Sequence, residues 1–144
     1  MENMKMPIHK IFEMEKNREE STPEAEMQRV KGDLMKVGIV VYQKDKGAPP
    51  HFHPNDEQFN LILEGRRVMI LDGEVVYAEP GDLIHIPRNS VHGGGQSLDD
   101  KCVFFAAKSP AGSGVMGEDY NPVDNAEELM QLVEDRVKEI REKE

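Results

Sequence analysis

The chain has 144 residues, a formal net charge of −10 at neutral pH and a single cysteine. This length suits one domain with its own core, and one cysteine excludes an intrachain disulfide. The negative charge repels phosphate backbones and anionic lipids, so we expect no nucleic-acid and no membrane partner. No stretch approaches the ~20 apolar residues of a membrane span, and the first residues lack the apolar segment of a signal peptide. We therefore expect a cytoplasmic protein.

The first two parts of the chain differ in amino-acid composition and pattern. Residues 1–26 are rich in Met, Glu and Lys and are predicted to form an N-terminal arm. From residue 27 to 110, short apolar runs alternate with Gly, Pro and Asp turn signals, which predicts an all-β domain. Within it, Asp72-Gly73 favours a type I′ hairpin. Cys102 lies in the apolar run CVFFAA, so we expect a buried structural thiol.

The last part, residues 111–144, comprises a Gly/Pro-rich connection and a C-terminal helix. Asp124 and Glu127 are spaced nearly as in a capping box at the start of that helix. Apolar residues recur at helical spacing on one face and predict packing against the domain or a partner subunit. These residues are Ala126, Leu129, Leu132, Val133, Val137 and Ile140.

Two histidines open the stretch HFHPNDEQFNLILEG, at positions 51 and 53. On a strand, side chains at i and i+2 leave the same face, roughly 6–7 Å apart along the chain. Imidazole is a common ligand for Zn, Fe, Ni, Cu and Mn. The pair alone is a weak signal, because surface or core histidines explain it as well as a metal site does.

A second stretch, GDLIHIPRNSVHGGGQ, covers residues 81–96 and ends with another histidine, His92. Together the two stretches resemble the paired motifs of the cupin superfamily over about residues 36–108. The matching positions are Gly47, His51, His53, Gln58 and Gly65 in the first motif and Gly81, Pro87, Asn89, His92 and Gln96 in the second. The sequence departs from the pattern in the short spacing from Gly47 to His51, in Asn89 for Gly and in Gln96 for Asn.

The resemblance implies a cupin jelly-roll β-barrel over residues 27–110, flanked by the arm and the helix. It also implies a divalent metal ion held by His51, His53, Gln58 and His92. The ion could be Fe, Mn, Zn, Ni or Cu. Cupins of this size usually pair, so we expect a homodimer, with the arm and the helix as candidate contacts.

The fourth ligand depends on which face of the strand lies inside. Glu57 and Gln58 are adjacent, so only one can face a pocket. Gln58 shares its face with Asn60, Ile62 and Glu64, whereas Glu57 shares its face with Phe59, Leu61 and Leu63. The motif spacing and the polar face favour Gln58. If the apolar face fills the interior, Glu57 is the ligand instead.

Four further residues are candidates for a substrate pocket. Lys108 shares a strand face with Phe104 and Ala106, so it lies either near the metal as a proton-transferring group or at a strand end in solvent. Tyr42 and Asn60 are similar candidates. Arg66 could bind a carboxylate in bidentate fashion, and its neighbour Arg67 or the more distant Arg88 could do so instead. His85, in the middle of a strand, is expected to be structural.

Together, these features predict a metal-dependent enzyme of isomerase or lyase type. Its small-molecule ligand would be an oxygen-rich metabolite such as a sugar acid or a keto acid. Gln58 is neutral, which favours Lewis-acid chemistry over oxidation. Two alternatives stay open: a non-catalytic module that binds a small ligand, and an Fe(II) dioxygenase. The fold alone does not decide among them.

Overall fold

The computed structural model describes residues 8–19, 22–112 and 118–144. Short strands connected by tight turns dominate it, and one long helix follows. The strands are β1 (Glu26–Lys31), β2 (Lys36–Gln43), β3 (His51–Phe52), β4 (Glu57–Glu64), β5 (Arg67–Leu71), β6 (Glu74–Ala78), β7 (Leu83–Ile86), β8 (His92–Ser97), β9 (Lys101–Ser109) and β10 (Asn121–Pro122), and the helix is α1 (Ala126–Glu142).

The strands form two five-stranded antiparallel sheets. Sheet A has the order β1-β2-β9-β4-β7 and sheet B the order β10-β3-β8-β5-β6. Apart from the hairpins β1–β2 and β5–β6, strands that follow each other in the chain lie in different sheets, so the chain crosses repeatedly from one sheet to the other, as in a jelly roll. The predicted all-β jelly roll is therefore confirmed. Among the residues described, hydrogen bonds do not close the sheets into a barrel, since only an isolated bridge between Lys44 and Ser97 links them.

The main core lies between the sheets and follows the alternation of strand side chains. Every second residue of β2, β4 and β9 points inward, among them Val40, Ile62 and Phe104, and Met69 of sheet B meets them. Cys102 is fully buried in this core, and burial raises the pKa of its thiol. The prediction of a buried structural cysteine is confirmed.

Helix α1 packs on the outer face of sheet B. Leu129, Val133 and Val137 are buried there against Val68 and Ile70 of β5. Leu132 was expected on the same face but is 45% exposed, because it lies at the edge of the apolar stripe. The predicted capping box is also corrected: the N-cap residue is Asn125, and its side chain makes no capping hydrogen bond.

Two turns adopt the backbone conformations that their residues favour. The β5–β6 hairpin pairs Leu71 with Glu74, and Asp72 and Gly73 between them have φ angles of 53° and 80°. Positive φ at both central positions is the signature of a type I′ turn, so the predicted hairpin is confirmed. Asn89, at the position where the cupin motif has Gly, has a φ of 65°.

The described part of the N-terminal arm lies beside β1. It contains a turn of 3-10 helix at Ile11–Glu13. The buried Gln28 side chain donates hydrogen bonds to the carbonyls of Phe12 (3.1 Å) and Met14 (2.8 Å). These bonds fix the arm against sheet A and bring its end, near Glu19, to the pocket described below. Within the described ranges, no helix has the length and apolar character needed to cross a membrane.

Candidate metal centre

Three histidines converge between the sheets. His51 on β3 is paired in register with His92 on β8, and His53 follows β3 immediately. The ring centroids lie 4.2–5.2 Å apart, and each residue is at most 7% exposed. Their ligand nitrogens all lie within 4.8 Å of one another. The structure thus brings together the two halves of the sequence motif.

Hydrogen bonds select the same tautomer for all three rings. The Nδ1 atoms lie 2.7, 2.9 and 2.8 Å from the carbonyl oxygens of Pro49, Ser90 and Asp119, for His51, His92 and His53 respectively. A carbonyl only accepts, so each Nδ1 carries the hydrogen and each Nε2 keeps a free lone pair.

The electrostatics also favour neutral imidazoles. Burial lowers the pKa of His53 to about 4 and that of His92 to about 3, and it places the pKa of His51 well below its usual range. Neighbouring cations lower these pKa values further, Lys108 among them. Three neutral rings with free Nε2 atoms and oriented Nδ1–H groups are the donor set that a divalent transition metal takes. The residues present therefore fit the metal that the resemblance implies.

The structure places Gln58 and Glu57 on opposite faces of β4. Gln58 lines the pocket, and its Nε2 donates to Asn60 Oδ1 at 2.8 Å. Glu57 points outward, where it accepts a 2.8 Å hydrogen bond from His85, with both side chains about half exposed. Gln58 is therefore the member of this pair that has access to the histidines.

Lys108 lies in the same pocket, with a side chain only 12% exposed. Its Nζ donates to Asp119 Oδ2 at 3.1 Å and lies 3.4 Å from Asp56 Oδ2. Asp56 is 2% exposed, and neither of its oxygens accepts a hydrogen bond from the described residues. Burial and the nearby Asp119 carboxylate raise the pKa of Asp56 to about 7. Lys108 is thus held beside a carboxyl group that can carry a proton near neutral pH.

A short segment before α1 closes over the histidines. Strand β10 pairs with β3, and Asp119 just before it supplies the carbonyl for His53. The Tyr120 ring stacks on His51 at a centroid distance of 4.1 Å and an interplanar angle of 17°. This segment fixes two of the three imidazoles and excludes water from one side of them.

Two neighbouring arginines, Arg66 just before β5 and Arg67 at its first position, point to different sides. Arg66 was expected in the pocket, but its guanidinium lies outside it, bound to Asp99 at 2.8 and 3.0 Å and to Glu144. Arg67 is 4% exposed and lines the pocket instead. Its guanidinium carbon lies 5.3 Å from the ring centroid of Tyr42, which also lines the pocket, as Asn60 does.

The pocket between the sheets encloses a cavity of about 130 Å³. The histidines, Gln58, Asn60 and Lys108 line its polar side, and Val40, Met69 and Phe104 line its apolar side. A small polar molecule fits this volume and lining.

Comparison with known proteins agrees with this architecture. The family model described as "Cupin domain" matches residues 38–107. This range holds every residue of the two sequence motifs. The chain belongs to the cupin superfamily.

Individual relatives are more distant. A segment of 42 residues is 38% identical to part of quercetin 2,3-dioxygenase of Bacillus subtilis. The matched segment covers 29% of this chain and 12% of the dioxygenase. An uncharacterised double-stranded β-helix protein of Klebsiella pneumoniae is similar in structure, with a TM-score of 0.66, 14% identity, and coverage of 84% of this chain and 94% of that one. A predicted oxalate decarboxylase of Thermotoga maritima has a TM-score of 0.63, 15% identity, and coverage of 72% and 98%. At these identities the two structures show the shared cupin fold alone.

Sequence reasoning missed several residues that line the pocket of this cupin or contact its lining. Asp119 and Tyr120 lie far along the chain from the histidines and carry no motif signal. Asp56 stands inside the first motif, yet an aspartate in a polar loop looks like solvated surface. Arg67 was one of three candidate arginines, and alternation favours it over Arg66, because it shares a strand face with Met69 of the core.

Proposed function

We propose that this cupin is a metal-dependent enzyme of isomerase or lyase type that acts on a small oxygen-rich metabolite, such as a sugar acid or a keto acid. His51, His53, His92 and Gln58 would hold the divalent ion. When bound, the ion would supply Lewis-acid polarisation of a substrate oxygen. The observation that carries the proposal is the buried Lys108 ammonium in the same pocket as three neutral, oriented imidazoles.

Lys108 is the group that moves the proton. Its Nζ can transfer a proton to Asp56 Oδ2, 3.4 Å away, and the lone pair so gained removes a proton from the carbon next to a substrate carbonyl. Asp119 holds the ammonium in place through its 3.1 Å hydrogen bond. The reverse transfer, from Asp56 through Lys108, delivers the proton to the product.

The neutral ligand set favours this chemistry over oxidation. Three imidazoles and the Gln58 amide add no negative charge to the site, so a negative oxygen on the substrate meets the full charge of the cation. Arg67, which is buried and lines the pocket, adds further positive charge.

An Fe(II) dioxygenase is the second candidate function. The observation that favours it is the 42-residue similarity to a quercetin dioxygenase. A non-catalytic ligand-binding module remains the third. We further propose a cytoplasmic homodimer whose contacts involve the arm and α1, and an ion that is Fe, Mn, Zn, Ni or Cu.

Proton exchange in D2O tests the proposal. Protein loaded with each metal in turn is incubated with a panel of sugar acids and keto acids, and proton NMR follows the signal of the hydrogen next to the carbonyl. We expect wild type to exchange or convert at least one compound, and Lys108→Met to lose that activity by at least about a hundredfold. Lys101→Met, at the exposed far end of the same strand, is the matched control.

Two outcomes would contradict the proposal. Oxygen consumption with one of the compounds, and no exchange without oxygen, would favour the dioxygenase. Binding of a compound without any exchange or conversion would favour the binding module.

A further inference from the structure

A row of polar side chains crosses sheet A along the pocket. Lys36 on β2 is in register with Lys108 on β9, and Lys108 is in register with Gln58 on β4. All three side chains line the pocket. Since neighbouring strands lie about 4.8 Å apart, the backbone at Lys36 is roughly 10 Å from the backbone at Gln58. Lys36 therefore lies two strands away from the candidate metal ligand Gln58, on the far side of Lys108.

A second cation reaches the pocket because its neighbour is a glycine. Arg29 on β1 is in register with Gly38 on β2. A Cβ atom at Gly38 would lie only 2.8 Å from Cγ of Arg29 and 2.5 Å from the carbonyl oxygen of Gln28. Because Gly38 has no side chain, the Arg29 side chain can lie across β2. Arg29 therefore lines the pocket together with Lys36.

Glu19, near the end of the arm, occupies this cationic site. Its carboxylate pairs with Arg29 and lies 3.9 Å from Lys36 Nζ. The three side chains are only 18–27% exposed. Burial, Lys108 and Arg29 lower the pKa of Lys36 to about 8, so the crowded cations favour a nearby anion.

The pocket also has the opposite charge balance to the whole chain. The protein carries a net charge of −10. Among the described residues that line the pocket, cationic side chains outnumber carboxylates four to two. They are Arg29, Lys36, Arg67 and Lys108 against Glu19 and Asp119. A cationic cleft in an acidic protein selects an anionic small molecule.

We propose that Arg29 and Lys36 form an anion subsite for a carboxylate of the substrate, and that Glu19 is an internal carboxylate which the substrate displaces. This inference rests on the proposed function and narrows its substrate class. The substrate has two polar ends: an oxygen-bearing end at the histidines and Lys108, and a carboxylate at Arg29 and Lys36.

Calorimetric titration with glutarate, a five-carbon dicarboxylate, tests the subsite. The titrations use the 144-residue chain after chelator treatment and again after loading with zinc. Glutaric acid monoamide, which lacks one charge, is the ligand control. The variants are Lys36→Met and Glu19→Gln. Lys101→Met and Glu57→Gln, which change an exposed lysine and an exposed glutamate of the same sheet, are their matched controls.

We expect Lys36→Met to weaken glutarate binding at least about fivefold, and Glu19→Gln to strengthen it at least about threefold, the size of one partly screened ion pair. The two control variants keep the wild-type affinity. The monoamide binds more weakly than glutarate to wild type and loses less affinity in Lys36→Met.

Three results would overturn the inference. The first is that neither wild type nor Glu19→Gln binds glutarate. The second is that Lys36→Met binds glutarate with the wild-type affinity. The third is that Glu19→Gln lowers the melting temperature without changing the affinity for glutarate. The last result would assign the Glu19 ion pairs to anchoring of the arm. Chelator-treated protein separates the two proposals: a chain that takes up no metal can still show the Lys36-dependent binding, and a metal-binding chain can lack it.

Discussion

Acidification is predicted to destabilise the metal-free protein, because its three buried imidazoles stay neutral in the folded state. The pKa of His53 is lowered to about 4 and that of His92 to about 3, and the pKa of His51 is also low. In the unfolded chain each histidine has a pKa of about 6.5, the value of histidine in model peptides. Below that pH the unfolded state binds more protons, so the free energy of unfolding decreases as the pH falls.

The size of the effect follows from these pKa values. Between pH 7.5 and 5.5, each neutral buried histidine lowers the free energy of unfolding by about 1.4 kcal/mol, and three lower it by about 4 kcal/mol. Asp56 acts in the opposite direction. Its folded-state pKa of about 7 lies above the usual 3.8, so the folded protein gains a proton in this range. That protonation offsets about 2 kcal/mol, and a net loss of about 2 kcal/mol remains.

Urea unfolding with EDTA present, at pH 7.5 and 5.5, measures this difference. Asp56→Asn removes the offset, so its loss should grow to about 4 kcal/mol, whereas His92→Gln should reduce the wild-type loss by about 1.4 kcal/mol. His85→Gln, on the exposed outer face, is the matched control and should behave as wild type. If His92→Gln and wild type have the same pH dependence, the buried neutral imidazole is refuted.

Three further predictions concern single side chains. Tyr120→Leu removes the ring stacked on His51 and should weaken metal binding about tenfold in a chelator competition assay; unchanged affinity would contradict a positioning role. Gly95→Ala places a Cβ 2.4 Å from the Arg67 guanidinium. The free energy of unfolding in urea should therefore fall by about 1–3 kcal/mol, and an unchanged value would show that Arg67 moves freely. Arg66→Ala removes a half-exposed ion pair, so the free energy of unfolding in the same urea assay should fall by less than about 1 kcal/mol. The affinity for glutarate should not change, and a loss of affinity would place this arginine in the pocket.

The sequence predicts most of the fold and part of the site, because strand alternation and motif spacing are local. Apolar runs and turn residues indicate the strands, and the i, i+2 spacing places His51 and His53 on one side. Alternation along β4 separates the polar face of Gln58 from the apolar face of Glu57, and the structure has them on those opposite faces.

The remaining features depend on tertiary packing that no local pattern specifies. Asp119 reaches His53 across 66 residues of chain, so its carbonyl is invisible to motif reasoning. Arg66 and Arg67 differ only in strand phase, which the flanking Gly65 turn sets. The approach of Glu19 to Lys36 depends on the path of the arm along β1.

The metal content of the purified protein is the sharpest test of the metal centre. Wild type, His92→Ala and His85→Ala are purified without chelator or metal-affinity resin, and the bound metal is quantified by mass spectrometry. We predict about one divalent ion per chain in wild type and in His85→Ala, and little or none in His92→Ala. Wild type that stays empty after equilibration with each candidate ion, or His92→Ala that keeps its metal, would contradict a metal centre built on His51, His53 and His92.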